Sequence, residues 1–237
     1  MSLHQADFRN RLLRYLSDDD LAVITPLLEH VELPKGLGIS EPNQAIGYYY
    51  FMESGIGSIV AVSAEGQRAE VGLVGRDGII PTAAVMECDT SPHVILIQIE
   101  GQGYRIEAGA LVQFLTTRPD ARRLFVRFVQ TLAIQTACTA LSNSVHHIEE
   151  RLARWILMCH DRTENGEVAL THEYISIMLA VRRPSVTTAL HVLEGNHLVY
   201  SERGMLTIRD RAALENFALD AYGIPEQEYA RLVGPMR

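Results

Sequence analysis

The sequence predicts an α+β chain in three parts: a jelly-roll-like all-β region, one unusually long helix, and an α-rich region closed by a hairpin. Three observations carry this. Between residues 31 and 108 short apolar runs alternate with turn signals about every ten residues. Residues 110–159 contain no glycine, and Pro119 is their only proline. Beyond Asp161, two short amphipathic stretches precede a turn at Glu202-Arg203-Gly204.

The elements follow in order. Residues 8–28 carry Leu12, Leu13, Leu16, Leu21, Ile24, Leu27 and Leu28 at helical spacing, interrupted at Ser17-Asp18-Asp19-Asp20, which supplies N-cap candidates. Two short helices fit. Pieces such as Tyr48-Tyr49-Tyr50-Phe51-Met52, Ser58-Ile59-Val60-Ala61-Val62 and residues 94–99 then read as strands. Gly75-Arg76-Asp77-Gly78 and Gly101-Gln102-Gly103 are among the expected turns. Even spacing of short strands implies a sandwich or jelly roll.

The helical part places Leu124, Phe128 and Leu132 in one stripe and Leu141, Val145, Ile148, Leu152 and Trp155 in a second. A helix of roughly 25 residues exceeds the globular mean, and a second copy of itself is its simplest partner. Leu124, Phe128, Leu132, Gln135 and Thr139 are the candidate dimer-helix residues. His146-His147 marks a boundary, giving a β-domain with N-terminal helices at 1–117, a dimerisation helix at 118–147 and a C-terminal domain with a tail at 148–237. In that domain a loop (161–166), a short strand Val168-Ala169-Leu170, two helices, a hairpin and a last helix (211–223) are expected, then an irregular or helical tail.

Composition narrows the class. No run reaches the roughly 18 apolar residues of a bilayer span, and the N-terminus lacks the basic start and apolar stretch of a signal peptide. A cytoplasmic location without membrane association is the expectation. A formal net charge of −8 disfavours nonspecific coating of nucleic acid. The basic residues are nearly all arginine, Lys35 being the only lysine. Cys88, Cys138 and Cys159 form no CxxC pair, so neither a disulfide framework nor a zinc ribbon is expected. His146-His147 and Cys159-His160 are adjacent on helices and point apart, which disfavours metal binding. No Walker loop, HExxH, Rossmann fingerprint or nucleophile elbow occurs, so catalysis and cofactors are not expected.

One segment carries a function by itself. Thr171 can cap a helix whose buried face is Ile175, Met178 and Leu179; small Ala180 lets two helices approach, and Arg182-Arg183-Pro184-Ser185 opens the second helix. Val186, Leu190 and Leu193 turn inward, leaving Arg183, Thr187, Thr188 and His191 outward. Two such helices and a hairpin make a winged helix-turn-helix, whose second helix can enter the DNA major groove. Thr171, Arg182, Arg183, Pro184, Ser185, Thr187, Thr188 and His191 are the candidate DNA contacts. The acids Glu194, Glu202 and Asp210 offset part of the local charge. The alternative is an interaction module with a degenerate DNA-binding domain.

Residues 148–157, Leu170-Thr171-His172-Glu173, and Met178-Leu179-Ala180-Val181-Arg182-Arg183-Pro184-Ser185 resemble the C-terminal half of Crp–Fnr regulators, and Leu198-Val199-Tyr200 with residues 208–215 continue the match in order. Leu33-Pro34-Lys35-Gly36, Tyr50-Phe51-Met52-Glu53-Ser54-Gly55, residues 70–78 and Tyr104-Arg105-Ile106 resemble that family's cyclic-nucleotide-type β-roll. The resemblance implies a β-roll sensor (a double-stranded jelly roll), a long dimerisation helix and a winged helix-turn-helix. It further implies a homodimer on a palindromic operator in double-stranded DNA, with RNA polymerase as a further partner. It maps the family's main base-reading arginine onto Arg183. Pro184 stands where a glutamate is common and Thr188 where a later arginine is common, so the operator should differ from the catabolite-activator consensus.

The sensor marks are missing. The stretch corresponding to the cyclic-nucleotide clamp has no ribose-binding glutamate within Pro81-Thr82-Ala83 and no arginine between Arg76 and Arg105. Gly78, Ile79, Thr82 and Ala83 remain the candidate effector-pocket residues; a cyclic nucleotide or other small molecule is the ligand alternative, and no effector the other. The first cysteine is Cys88, so the N-terminal cluster of iron–sulfur sensors is absent. Cys88, between Glu87 and Asp89, lacks the electropositive surroundings of a reactive thiol.

Overall fold

The computed structural model describes residues 4–163, 167–169 and 171–236. Leu170 of the expected short strand and half of the expected loop before it (164–166) lie outside the described residues.

Two short helices, α1 (Arg11–Arg14) and α2 (Asp18–Ile24), open the chain; Ser17 caps α2 by accepting from the Asp20 amide at 3.1 Å. Eight strands follow: β1 (Glu29–Leu33), β2 (Gly38–Ser40), β3 (Tyr48–Met52), β4 (Ile56–Val62), β5 (Arg68–Val74), β6 (Ile79–Ile80), β7 (Val94–Ile99) and β8 (Gly101–Glu107). They form two antiparallel four-stranded sheets, ordered β1-β8-β3-β6 and β2-β7-β4-β5. Leu33, Phe51, Ile79, Ile80, Val74 and Ile97 fill the space inside this roll.

Gly101-Gln102-Gly103 is strand rather than turn. A Cβ on Gly101 would meet the Ser54 carbonyl oxygen at 2.3 Å, and one on Gly103 the Phe51 oxygen at 2.4 Å. Both glycines serve close strand approach, which a turn-based reading of glycine misses.

Glu107 caps α3 (Ala108–Thr117), accepting from the Ala110 amide at 3.0 Å. Pro119, fitted to a first helical turn, opens α4 (Pro119–Val145), 27 residues long. The most apolar 18 residues of α4 average a hydropathy of 1.3, long and apolar enough by composition to cross a membrane, contrary to the sequence expectation. One such helix is weak evidence, because a core helix passes the same test. This one lies on the roll: Phe125 and Phe128 are buried, and Gly78 leaves room for the Phe128 ring, which a Cβ would meet at 2.0 Å. The Gln135 side chain accepts from the Leu73 amide at 2.8 Å and donates to its carbonyl at 3.2 Å.

The helix stops at His146, whose backbone turns extended. The Glu150 carboxylate accepts the His147 amide at 2.8 Å and starts α5 (Ile148–Arg162) in a new direction. The second expected stripe is therefore divided: Leu141 and Val145 on α4 are exposed, whereas Leu152 and Trp155 on α5 are buried.

The C-terminal unit continues with β9 (Glu167–Ala169), α6 (His172–Met178), α7 (Arg183–Gly195), β10 (Val199–Glu202), β11 (Met205–Ile208), α8 (Arg211–Ala218) and α9 (Ile224–Leu232). Strands β10, β11 and β9 make a small antiparallel sheet. Arg203 and Gly204, at φ +50° and +81°, form the primed turn of its hairpin.

This unit is packed on the roll. Ile56, Leu73 and Ile99 from the strands share one core with Trp155, Ile156, Met158 and Met178. The buried Glu70 carboxylate accepts from Trp155 Nε1 at 2.8 Å and from Ser58 Oγ at 2.6 Å; burial pushes its pKa up to about 7. Arg162 pairs with Asp77 at 2.7 Å, both buried. Burial opposes the Arg162 charge, but Asp77, Glu226 and Asp161 outweigh it and hold its pKa above the usual value. The expected tail is a packed element: Tyr229 of α9 donates to the Asp77 carbonyl at 2.6 Å, and Met236 reaches the core of the roll.

Candidate DNA-recognition face

Thr171 caps α6, its hydroxyl accepting from the Tyr174 amide at 3.4 Å. Ile175 and Met178 of α6 and Val186, Ala189, Leu190 and Leu193 of α7 are buried together, which fixes the two helices against α5. Ala180 between them is exposed at φ +50°. The position is thus set by a left-handed turn, which strains any residue with a Cβ, and not by a close helix crossing.

With its apolar face buried, α7 turns its first residues outward. Arg182, Arg183, Pro184, Thr188 and His191 are exposed, and Ser185 and Thr187 half-buried. Arg182 occupies the cap position and Pro184 the first turn, where a missing amide hydrogen costs nothing. Thr188 donates to the Pro184 carbonyl at 3.1 Å, and Thr187 to that of Arg183 at 3.4 Å. Both hydroxyls retain acceptor capacity.

Two partners of this face come from α6 and were not found by sequence reasoning. Arg183 Nη2 lies 2.7 Å from Glu173 Oε1, and Thr187 Oγ1 lies 3.2 Å from His172 Nδ1. The signal was the placement of His172-Glu173 in the first turn of α6, facing the start of the next helix. The nearby acids are also accounted for locally. Glu194 accepts from the Ser201 amide at 3.1 Å, Asp210 caps α8 through the Ala213 amide at 2.9 Å, and Glu202 accepts from Tyr200 at 2.9 Å.

Inside the roll, a cavity of about 360 Å³ lies between the strands and α4. Thr82 and Ala83 line it, with Ile59, Val71, Leu132 and Thr136. Gly78 and Ile79 do not: Gly78 is occupied by Phe128, and Ile79 is in the core. No Asp, Glu, Lys or Arg side chain is among the described lining residues. The candidate dimer-helix residues Phe128, Leu132 and Gln135 are buried against the chain's own roll, with Leu124 and Thr139 half-buried. Among the described residues no group of three or more His, Cys, Asp or Glu side chains could hold a metal ion. His146 instead contacts Asp220 at 2.9 Å, and His160 contacts Arg211 at 2.9 Å.

Residues 150–217 match the Crp-like helix-turn-helix domain family. The chain is similar in structure to FixK2 from Bradyrhizobium japonicum (15% identity, 80% of this chain and 96% of that one covered, TM-score 0.69). It is similar also to CLP, a c-di-GMP-responsive global regulator of Xanthomonas campestris (15%, 82% and 100%, TM-score 0.64). A CRP-family transcriptional regulator from Thermus thermophilus gives 19%, 79% and 96%, with a TM-score of 0.64. No curated protein matches the chain by sequence. The chain has the Crp/Fnr regulator fold, a β-roll joined to a C-terminal helix-turn-helix domain.

Proposed function

We propose that the chain is a sequence-specific transcription regulator that binds a palindromic DNA operator as a homodimer, with Arg183 as its principal base reader. One observation carries this: burial of Val186, Ala189, Leu190 and Leu193 leaves the N-terminal end of α7 outward, with Arg182, Arg183, Thr188 and His191 exposed. An arginine fork there can take guanine O6 and N7 together, while Thr171, Arg182, Ser185 and the hydroxyls of Thr187 and Thr188 reach phosphates or base edges.

Self-pairing uses the face of α4 that the roll leaves uncovered. Only 28% of the most apolar stretch of α4 is buried within the chain. Val126, Gln130, Ala133, Ala137, Leu141 and Ser144 are exposed at steps of three and four, the spacing of a coiled-coil seam. Two recognition helices related by that seam would read half-sites one DNA turn apart, roughly 34 Å.

Selection from randomised duplex DNA with the purified protein tests this, alongside sedimentation analysis. The expected result is an enriched palindrome bound by a dimer, lost with Arg183→Ala. Recovery of no enriched site would overturn it.

A ligand-responsive form of the same function is favoured by the cavity. Its walls are mostly apolar, with hydroxyls at Thr82, Thr90, Ser91 and Thr136, and they offer a cyclic phosphate His93 but no arginine or lysine. An uncharged compact molecule fits that chemistry better than a nucleotide. Thermal-shift measurements with cyclic nucleotides and with neutral apolar molecules separate the two: stabilisation by a cyclic nucleotide alone would reverse the preference.

A further inference from the structure

We infer that Glu173, on the first helix of the helix-turn-helix, is a specificity-determining residue. It holds the Arg183 guanidinium for its guanine and offers a carboxylate oxygen to the cytosine amino group of a neighbouring base pair. This rests on the reading of Arg183 as base reader.

The position after Arg183 is Pro184, which has no acceptor to place beside the arginine. The structure supplies one from across the turn: Glu173 Oε1 lies 2.7 Å from Arg183 Nη2, with side chains 64% and 62% exposed. Stability does not explain the pair. An ion pair this exposed adds little to a fold, and α6 and α7 are already joined by Ile175, Met178, Val186 and Leu190. What the pair does is fix a long, flexible side chain. Nη2 carries two hydrogens; one can go to Glu173 while the other, with a neighbouring nitrogen, reaches guanine. An arginine restrained before binding loses less conformational freedom on binding.

The second carboxylate oxygen makes no hydrogen bond among the described residues. On the outward side of α6, beside the first turn of the recognition helix, it is an acceptor in search of a donor. In the major groove that donor is the cytosine N4 amino group, or less simply adenine N6, whereas guanine O6 and thymine O4 would face it acceptor to acceptor. His172 dresses the same face one turn on, through Thr187. The first turn of α6 therefore completes the reading surface of α7.

The experiment compares the wild type, Glu173→Ala, Glu173→Gln and Arg183→Ala by selection from randomised DNA, then by equilibrium binding to single-base variants of the recovered operator. Thermal unfolding confirms that each variant folds. Glu173→Ala should keep the palindrome and the guanine but lose its preference at one neighbouring base pair by about tenfold or more. Glu173→Gln, which adds a donor, should broaden that position toward thymine. An unchanged preference at every position in Glu173→Ala, while Arg183→Ala abolishes selection, overturns the role of Glu173 and leaves Arg183 as reader. A uniform rise in affinity for all sequences also overturns it, since the carboxylate would then only repel phosphates. If Arg183→Ala recovers the wild-type operator, it is the assignment of Arg183 that fails.

Discussion

Two arginine–carboxylate pairs of the same length occupy opposite surroundings. Arg162–Asp77 and Arg183–Glu173 both measure 2.7 Å, but the first is 2% and 3% exposed and the second 62% and 64%. The buried pair joins α5 of the C-terminal unit to the roll, with Tyr229 donating to the Asp77 carbonyl from a third side. Neither partner can leave without stranding a charge in a medium that solvates it poorly. The exposed pair adds little to stability, and its guanidinium stays open to a further partner while Glu173 restrains it, as the role proposed for Arg183 requires. Burial therefore separates a charge that fixes the domain arrangement from one free to act.

Asp77→Ala should break that contrast most severely. It leaves Arg162 without its closest counter-charge, and denaturant unfolding should register a loss of about 3–5 kcal/mol. Glu70 probes the same boundary through pH. Its folded pKa, about 7, lies above the ordinary 4.5. Between those values the folded chain keeps a proton that the unfolded chain has lost, so stability falls as pH rises through this window and is level above it. The loss is on the order of 3 kcal/mol. Chemical denaturation of wild type and Glu70→Gln across that range should show the wild type losing ground to the variant with rising pH.

On the exposed side, Arg183→Ala should leave unfolding within about 1 kcal/mol of wild type. The same substitution should cost about 1–3 kcal/mol of discrimination per half-site, read by titration of specific against scrambled duplex. The smallest effect is expected at the turn between the helices. Ala180→Gly relieves a left-handed backbone at an exposed site, and a gain of about 1 kcal/mol should appear in thermal unfolding.

The elements themselves were mostly legible. Turn signals between short apolar runs mark a roll, because strands reverse where glycine, proline and small polar residues permit it. The apolar period of residues 171–193 places Arg183 outward, since a helix with four buried positions has only one side left for the others. Gly101 and Gly103 misled, because a glycine needed for close strand approach looks like one needed for a turn. The long helix misled differently. Phe128, Leu132 and Gln135 have the spacing of a pairing seam, yet they meet the roll, and spacing does not say which surface a stripe will meet.

The sequence by itself determined the order of roll, long helix and winged helix-turn-helix, and the outward arginine, because these follow from local periodicity and turn chemistry. Tertiary structure alone decided which partner each charge received. Asp77 and Arg162, 85 positions apart, meet because two cores close around them. Glu173 reaches Arg183 because the buried faces of α6 and α7 set the helices at one angle. Such pairings depend on packing between elements, which no local pattern records.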